Sequence, residues 1–343
     1  MPPFPKARRV AERQDMAGSA AVDESREDRF AHLAKRHPCF SQGAHGRAGR
    51  LHLPVSPSCN IRCRFCTRGL SASARRPGVA GRVIAPGEAG ALVDKALALC
   101  PELAVVGVAG PGDALATDHA LAALAGVHRA HPELLLCLST NGLRLTERVD
   151  ELVEAGVATV TVTVNSLDPA AQARLCRSIS LRLPGQPGER LVPGEAGARL
   201  LIAAQIAGIE AAVAAGLVVK VNTVLVPGVN DAGIAALAGR AALAGASLMN
   251  VIPLIARSGA ADLRPPTCDE LKAARAAAER HLPVFRHCRQ CRADAFGVPG
   301  RDDDLGARLF ADDDSLTGHG ALAGHGSLAG HGGLAGEATF SHG

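Results

Sequence analysis

Tryptophan and tyrosine are absent from this 343-residue chain, and phenylalanine occurs only eight times. Aromatic platforms for stacking nucleic-acid bases are thereby excluded. The 47% hydrophobic content comes from Ala, Leu and Val, so the core must be built by aliphatic packing. A dominant charge is also missing. The 37 basic and 33 acidic residues leave a formal charge of +4, and clusters such as Lys6-Ala7-Arg8-Arg9 are answered by Asp23-Glu24 and Asp302-Asp303-Asp304. No continuous basic face points to nucleic acid. Long apolar runs are lacking as well: nothing approaches the ~18 residues of a membrane span, and the N-terminus has no apolar stretch of a secretory signal. These absences predict a cytoplasmic protein that engages neither membrane nor nucleic acid.

Cysteine, by contrast, occurs ten times. In a reducing compartment such thiols serve as metal ligands, catalytic groups or buried residues rather than disulfides, and their spacing decides which. The length admits one large domain with appendages, since α/β barrels run to about 250 residues as one unit.

Residues 1–36 are rich in Pro, Arg, Asp and Glu without a sustained apolar period, which predicts a mobile N-terminal arm or a short helix lying on the surface. From 37 to 300 short β-like runs alternate with Ala- and Leu-rich stretches. The predicted strands are Leu51–Val55, Leu103–Ala109, Leu134–Ser139, Thr159–Asn165, Leu217–Val226 and Ser247–Leu254, mostly apolar on both faces. The predicted helices are Pro86–Cys100, Asp118–His131, Thr146–Ala155, Gly194–Ala215, Asp231–Ala244 and Thr267–His281. Six successive βα units with right-handed crossovers predict an α/β fold, a full or partial (βα) TIM-type barrel whose chemistry sits at the C-terminal strand ends. An open doubly wound sheet shares the local pattern. Residues 301–343 are acidic, then Gly/His-rich, with near-copies of Gly318-His319-Gly320-Ala321-Leu322-Ala323 around His325 and His331. A disordered tail is expected, with weak transition-metal binding as its alternative.

The sharpest motif is Ser58-Cys59-Asn60-Ile61-Arg62-Cys63-Arg64-Phe65-Cys66, a C-x3-C-x2-C array directly after the first predicted strand. Three thiolates on one loop suit three irons of a [4Fe–4S] cluster and leave the fourth iron open for an exogenous ligand. A structural zinc site is the alternative, but it wants four protein ligands, usually on two knuckles. The array, with an aromatic residue before its last cysteine, resembles the signature loop of the radical S-adenosylmethionine (SAM) superfamily. That resemblance implies that Cys59, Cys63 and Cys66 are the catalytic cluster ligands, that the open iron chelates SAM, and that reduction yields a 5′-deoxyadenosyl radical. It also implies a SAM-binding role for Gly110, Gly112 and Asp113 in Ala109-Gly110-Pro111-Gly112-Asp113, and for Ser139, Thr140, Asn141, Asn165 and Asn222 at later strand ends. Taken singly, each is equally readable as a turn or cap residue.

A second set of cysteines lies at the two ends of the domain, in His37-Pro38-Cys39-Phe40 and His287-Cys288-Arg289-Gln290-Cys291. Three thiolates again suit an iron–sulfur cluster. A zinc site completed by His37 or His287 stays open. Cys100, Cys176 and Cys268 stand alone and read as small buried residues, and His45, His128 and His131 read as solvated histidines.

The order and spacing of HPCF, CNIRCRFC, AGPGDALA, LCLSTNGL and HCRQCRADA resemble the NifB family, radical SAM enzymes of nitrogenase iron–molybdenum cofactor biosynthesis, over about residues 37–298. The resemblance implies terminal extensions with extra cluster ligands: one substrate cluster on Cys39, Cys288 and Cys291, a second on His52, Cys137 and a further cysteine. The two would be fused around a carbide derived from a SAM methyl group, a lyase- or transferase-type assembly step. Implied partners are iron–sulfur donor proteins, a cofactor carrier or scaffold that takes the product, and a reductant such as ferredoxin or flavodoxin. The chain departs from the family at Thr67-Arg68-Gly69-Leu70-Ser71-Ala72-Ser73-Ala74-Arg75-Arg76-Pro77-Gly78, one residue short and without the further cysteine. Ser71 and Ser73 are poor substitutes for a thiolate. A radical SAM enzyme with another substrate, or a non-catalytic iron–sulfur carrier, are the alternatives.

Overall fold

The computed structural model describes residues 30–182, 188–256, 258–260, 262–301 and 305–311. In chain order the strands are β1 (Gly49–His52), β2 (Ile61–Cys63), β3 (Gly69–Leu70), β4 (Val79–Ala80), β5 (Leu103–Val108) and β6 (Leu135–Thr140). They continue as β7 (Val157–Thr163), β8 (Cys176–Arg182), β9 (Glu189–Pro193), β10 (Val218–Leu225), β11 (Leu248–Pro253) and β12 (Phe296–Gly297). The helices are α1 (Ala89–Leu99), α2 (His119–Ala130), α3 (Leu145–Glu154), α4 (Pro169–Leu175), α5 (Gly194–Ala214), α6 (Ile234–Leu243), α7 (Cys268–Glu279) and α8 (Leu305–Phe310).

The main sheet runs β11-β10-β7-β6-β5-β1-β12. Every neighbouring pair is parallel except β12, which joins β1 antiparallel. A doubly wound sheet would reverse its order at a switch point. Here β1, β5, β6, β7, β10 and β11 follow one another without reversal, so right-handed crossovers put the helices on one face and the sheet curls as a partial barrel. All six predicted strands and all six predicted helices are present, with ends shifted by a few residues. The outer face packs Val106, Leu136, Val160 and Val219 against Leu92, Leu124, Leu152 and Ile209 of the helices. The inner face departs from the all-apolar expectation, because alternate positions carry Thr161, Thr163, Lys220, Asn222 and Asn250 toward a cavity.

The sequence pattern missed α4, the β3–β4 pair and β12, and three further features depart from it. The loop residues Ile61–Cys63 pair with β8, and β8 with β9, in an antiparallel sheet beside the barrel. Helix α3 starts at Leu145, not Thr146, with Arg144 as N-cap and no side-chain cap bond. Helix α5 has 21 residues and is long and apolar enough to cross a membrane by length and composition, contrary to the expectation of no such run. It packs on α3, α4 and β8 and buries Leu201, Gln205 and Ile209, as a core helix does.

The two ends of the domain carry further helices. Residues 30–34 of the N-terminal arm are helical. Helix α8 falls within the expected tail yet buries Leu305 and Leu309. The acidic runs Asp302–Asp304 and Asp312–Asp314 and the His319, His325 and His331 repeats lie outside the described residues.

Candidate active site and terminal cavity

The signature loop rests on the segment that ends β5. Gly112 N–H donates to Ser56 O at 2.7 Å and Asp113 N–H to Ser58 O at 2.9 Å. A Cβ at Gly112 would lie 1.9 Å from Ser58 O, so only glycine permits this contact. The close backbone approach anticipated for a ligand is thus made to the loop itself. Gly110, at φ +121°, turns the chain into this contact.

Asp113 is buried, and its carboxylate accepts from Leu115 N–H (2.9 Å), Asn141 N–H (2.5 Å) and Thr140 Oγ1 (3.1 Å). A carboxylate so occupied organises the β5 and β6 ends. Asn141 continues the network, donating to Asn60 Oδ1 at 2.7 Å and to Cys59 Sγ at 3.8 Å. Asn165 ties β7 to β10, its Oδ1 accepting Val224 N–H at 2.9 Å. Of the expected SAM contacts, Ser139 and Asn222 line the cavity, while Gly110, Gly112, Asp113, Thr140 and Asn141 form the footing of the loop.

The three loop cysteines act on one another electrostatically. Burial, then the Asp113 charge, pushes the Cys59 thiol up to about 12, and burial raises Cys66. Cys63 donates a hydrogen bond to Cys176, which with burial holds it well above the ordinary thiol value. Cys176 is buried as expected, but it is no bystander: the β2–β8 register sets it opposite Cys63. The donor set is that of an iron–sulfur cluster, three thiols and a polar side chain against one sulfur. Cys59, Cys63 and Cys66 would hold it.

A cavity of ≈ 290 Å³ lies inside the barrel and gathers Cys39, Cys137, Cys288, Cys291 and His52. His52, Gly107 and Cys137 stand in register on β1, β5 and β6. A Cβ at Gly107 would lie 2.3 Å from Cys137 Sγ, so the glycine keeps open the gap between the two predicted ligands. His52 Nδ1 faces Arg292 O at 3.0 Å. A carbonyl only accepts, so Nδ1 carries the proton and Nε2 keeps its lone pair, the tautomer of a metal-ligating histidine. Burial and the Arg50 charge push His52 down to about 4, which keeps the imidazole neutral.

His37 has the opposite tautomer. Its Nδ1 accepts Cys39 N–H at 3.2 Å, so Nε2 holds the proton and has no partner. His45, expected to be solvated, lines this cavity with Nδ1 bonded to Pro38 O at 3.1 Å and Nε2 unpartnered. Among the described residues no three His, Cys, Asp or Glu side chains converge as a single metal ion requires. The zinc alternative for Cys39, Cys288 and Cys291 therefore gains no support, whereas cluster ligands bind separate irons.

Residues 53–241 match the Radical SAM superfamily. The FeMo cofactor biosynthesis protein NifB of Methanocaldococcus jannaschii is 40% identical over 279 residues, which cover 81% of this chain and 91% of the relative. That of Klebsiella pneumoniae is 41% identical over 280 residues, 79% of this chain and 58% of the relative. The chain belongs to the NifB family. It is a radical SAM enzyme, with SAM and a [4Fe–4S] cluster as cofactors. Among solved structures, Streptococcus suis SuiB matches with a TM-score of 0.50 at 13% identity, over 82% of this chain and 57% of that one, a likeness of fold.

Within the NifB frame the loop after Cys66 explains the missing ligand. Ser71 Oγ accepts Ala74 N–H at 3.1 Å, and its carbonyl accepts from Arg292 at 3.0 Å. Ser73 is exposed. Neither serine lines the cavity that His52 and Cys137 line. Sequence reasoning missed Arg50, Lys220 and Asn250, buried polar residues on the inner face. Their signal was a polar residue at an inward position of an otherwise apolar strand.

Proposed function

We propose that this NifB-family chain acts in nitrogenase iron–molybdenum cofactor biosynthesis, fusing iron–sulfur cluster substrates and inserting a carbide derived from a SAM methyl group. The observation that carries the reading is the gathering of Cys39, Cys288, Cys291, Cys137 and His52 around one cavity inside the barrel, with Cys39 and Cys288 packed against the strand-start residues Leu135, Val218 and Leu248.

Cys59, Cys63 and Cys66 hold the resident cluster, which with SAM supplies the 5′-deoxyadenosyl radical. Asn141 orients Cys59, and Asp113 locks Asn141 and Thr140 so that the loop keeps its place. Ser139 and Asn222 offer polar contacts from the cavity wall. Cys39, Cys288 and Cys291 grip one cluster substrate between the two ends of the domain. His52 and Cys137 hold the second across Gly107, with one position left to an exogenous ligand or to the first cluster. Donor proteins, a reductant and a carrier for the product complete the proposed setting.

The test is anaerobic iron quantification with electron paramagnetic resonance on reconstituted protein carrying Cys59→Ala, Cys63→Ala and Cys66→Ala together. About four irons per chain in a cubane signal are expected at the terminal cysteines. Iron-free protein would favour a radical SAM enzyme with another substrate.

A further inference from the structure

We infer that Arg50 and Lys220 form a buried counter-charge that retains an anionic iron–sulfur substrate in the cavity and sets how readily it is reduced. The inference rests on the reading that Cys39, Cys288 and Cys291 hold a cluster.

Both cations are nearly inaccessible, Arg50 at 7% and Lys220 at 5% exposure. Neither has a carboxylate partner among the described residues, and no aspartate or glutamate lines the cavity. A buried charge without a counter-ion is expensive, and folded proteins keep one only where something compensates it. Each cation reaches a different end of the ligand set. Arg50 Nη2 lies 3.1 Å from Cys291 Sγ and Nη1 2.7 Å from Gly297 O, with Nε unpartnered. Lys220 Nζ lies 3.0 Å from Cys39 O and over the rings of Phe40 (4.6 Å) and Phe285 (5.7 Å). Ring faces and a carbonyl steady an ammonium without cancelling its charge.

The missing negative charge is that of the occupant. A cubane on three thiolates is a net anion, and its reduction adds another negative charge. Net charge and hydrogen bonds to the sulfurs set such potentials, so two fixed cations raise the potential and slow cluster loss. Arg50 also donates directly to a ligand sulfur, a charge-assisted contact that becomes stronger when Cys291 is a thiolate.

The test compares the reconstituted Cys59→Ala, Cys63→Ala, Cys66→Ala parent with the same protein carrying Arg50→Gln, Lys220→Met, Arg50→Lys or Lys220→Arg. Iron retention against a chelator, an EPR-monitored redox titration and thermal melting are read together. Each neutralising change is expected to shift the reduction equilibrium about tenfold toward the oxidised cluster, 59 mV for one electron, and to speed iron loss at least tenfold. Lys220→Arg and Arg50→Lys should restore most of both. If Arg50→Gln unfolds the chain, Lys220→Met decides alone. Folded neutral variants with the parent's potential and retention would overturn the inference and leave the cluster reading intact. Equal losses in the charge-retaining variants would assign both residues to structure only, which also overturns it. A parent without cluster iron would sink the inference together with the reading beneath it.

Discussion

The footing of the signature loop and the terminal cavity are both polar and both buried, yet they are built in opposite ways. Under the loop, polar groups answer one another: Asp113 accepts from Leu115, Asn141 and Thr140, and Asn141 passes on to Asn60 and Cys59. Ser56 Oγ and Asn60 Nδ2 are the exceptions. In the cavity wall the groups lack partners: His37 Nε2, Arg50 Nε, Asn222 Oδ1 and both amide atoms of Asn250. Buried polar groups are normally bonded. The first region is a scaffold whose bonds are already made, and under the proposed reading the second is a recipient whose bonds an occupant would complete.

The sharpest way to break this comparison is to remove ligands from one side at a time. Cys59→Ala, Cys63→Ala or Cys66→Ala should each reduce 5′-deoxyadenosine release to background, because a three-ligand site has no thiolate to spare. Cys288→Ala should leave that release measurable while removing terminal-site iron. Loss of release in Cys288→Ala would show that the regions work as one. Next in size is Asp113→Ala, which strands two buried N–H groups and a hydroxyl. A loss of about 2–4 kcal/mol in denaturant unfolding is expected, with SAM cleavage falling more than in Asn222→Ala.

The scaffold and the recipient were not equally legible in the sequence. Strand and helix positions followed from apolar periodicity because the outer sheet face obeys it throughout, from Val106 to Val219. The signature cysteines were legible because their spacing is local. The antiparallel β2, β8 and β9 sheet was not, since β2 hides inside a ligand loop. The sequence reading missed α4, which Asp168 caps, and did not use the Thr267/Glu270 capping box that starts α7. Asp113 was read as a ligand contact because a carboxylate after two glycines suits an ammonium as well as it suits a backbone turn. Only the three-dimensional partners decide that. Arg50 and Lys220 were invisible for a related reason: a cation in a strand reads as surface until its neighbours are known.

Smaller effects sharpen the comparison further. Gly107→Ala puts a methyl group into the gap between His52 and Cys137, where Cys137 Sγ is only 2.3 Å from the added carbon. Overpacking of this kind costs about 1–3 kcal/mol, and the alkylation rate of Cys137 in cluster-free protein should change while that of Cys59 does not. The last effect is a pH dependence that the two regions share. Cys59 in the scaffold and Cys137 in the cavity are both pushed up to about 12, chiefly by burial. An unfolded thiol ionises near about 8.5. Between these values the folded chain keeps protons that the unfolded chain has released, so stability is full below about pH 8.5 and falls as pH rises toward 12. Each thiol contributes a slope of about 1.4 kcal/mol per pH unit. Thermal melting of cluster-free protein from pH 8 to 10 should show this fall, and Cys59→Ala and Cys137→Ala should each flatten it by a similar amount. Cluster loading replaces both protons with iron, so loaded protein should lose the slope at both sites if His52 and Cys137 truly hold a cluster. A slope that survives loading and disappears in Cys137→Ala would leave Cys137 as a buried thiol and remove it from the ligand set.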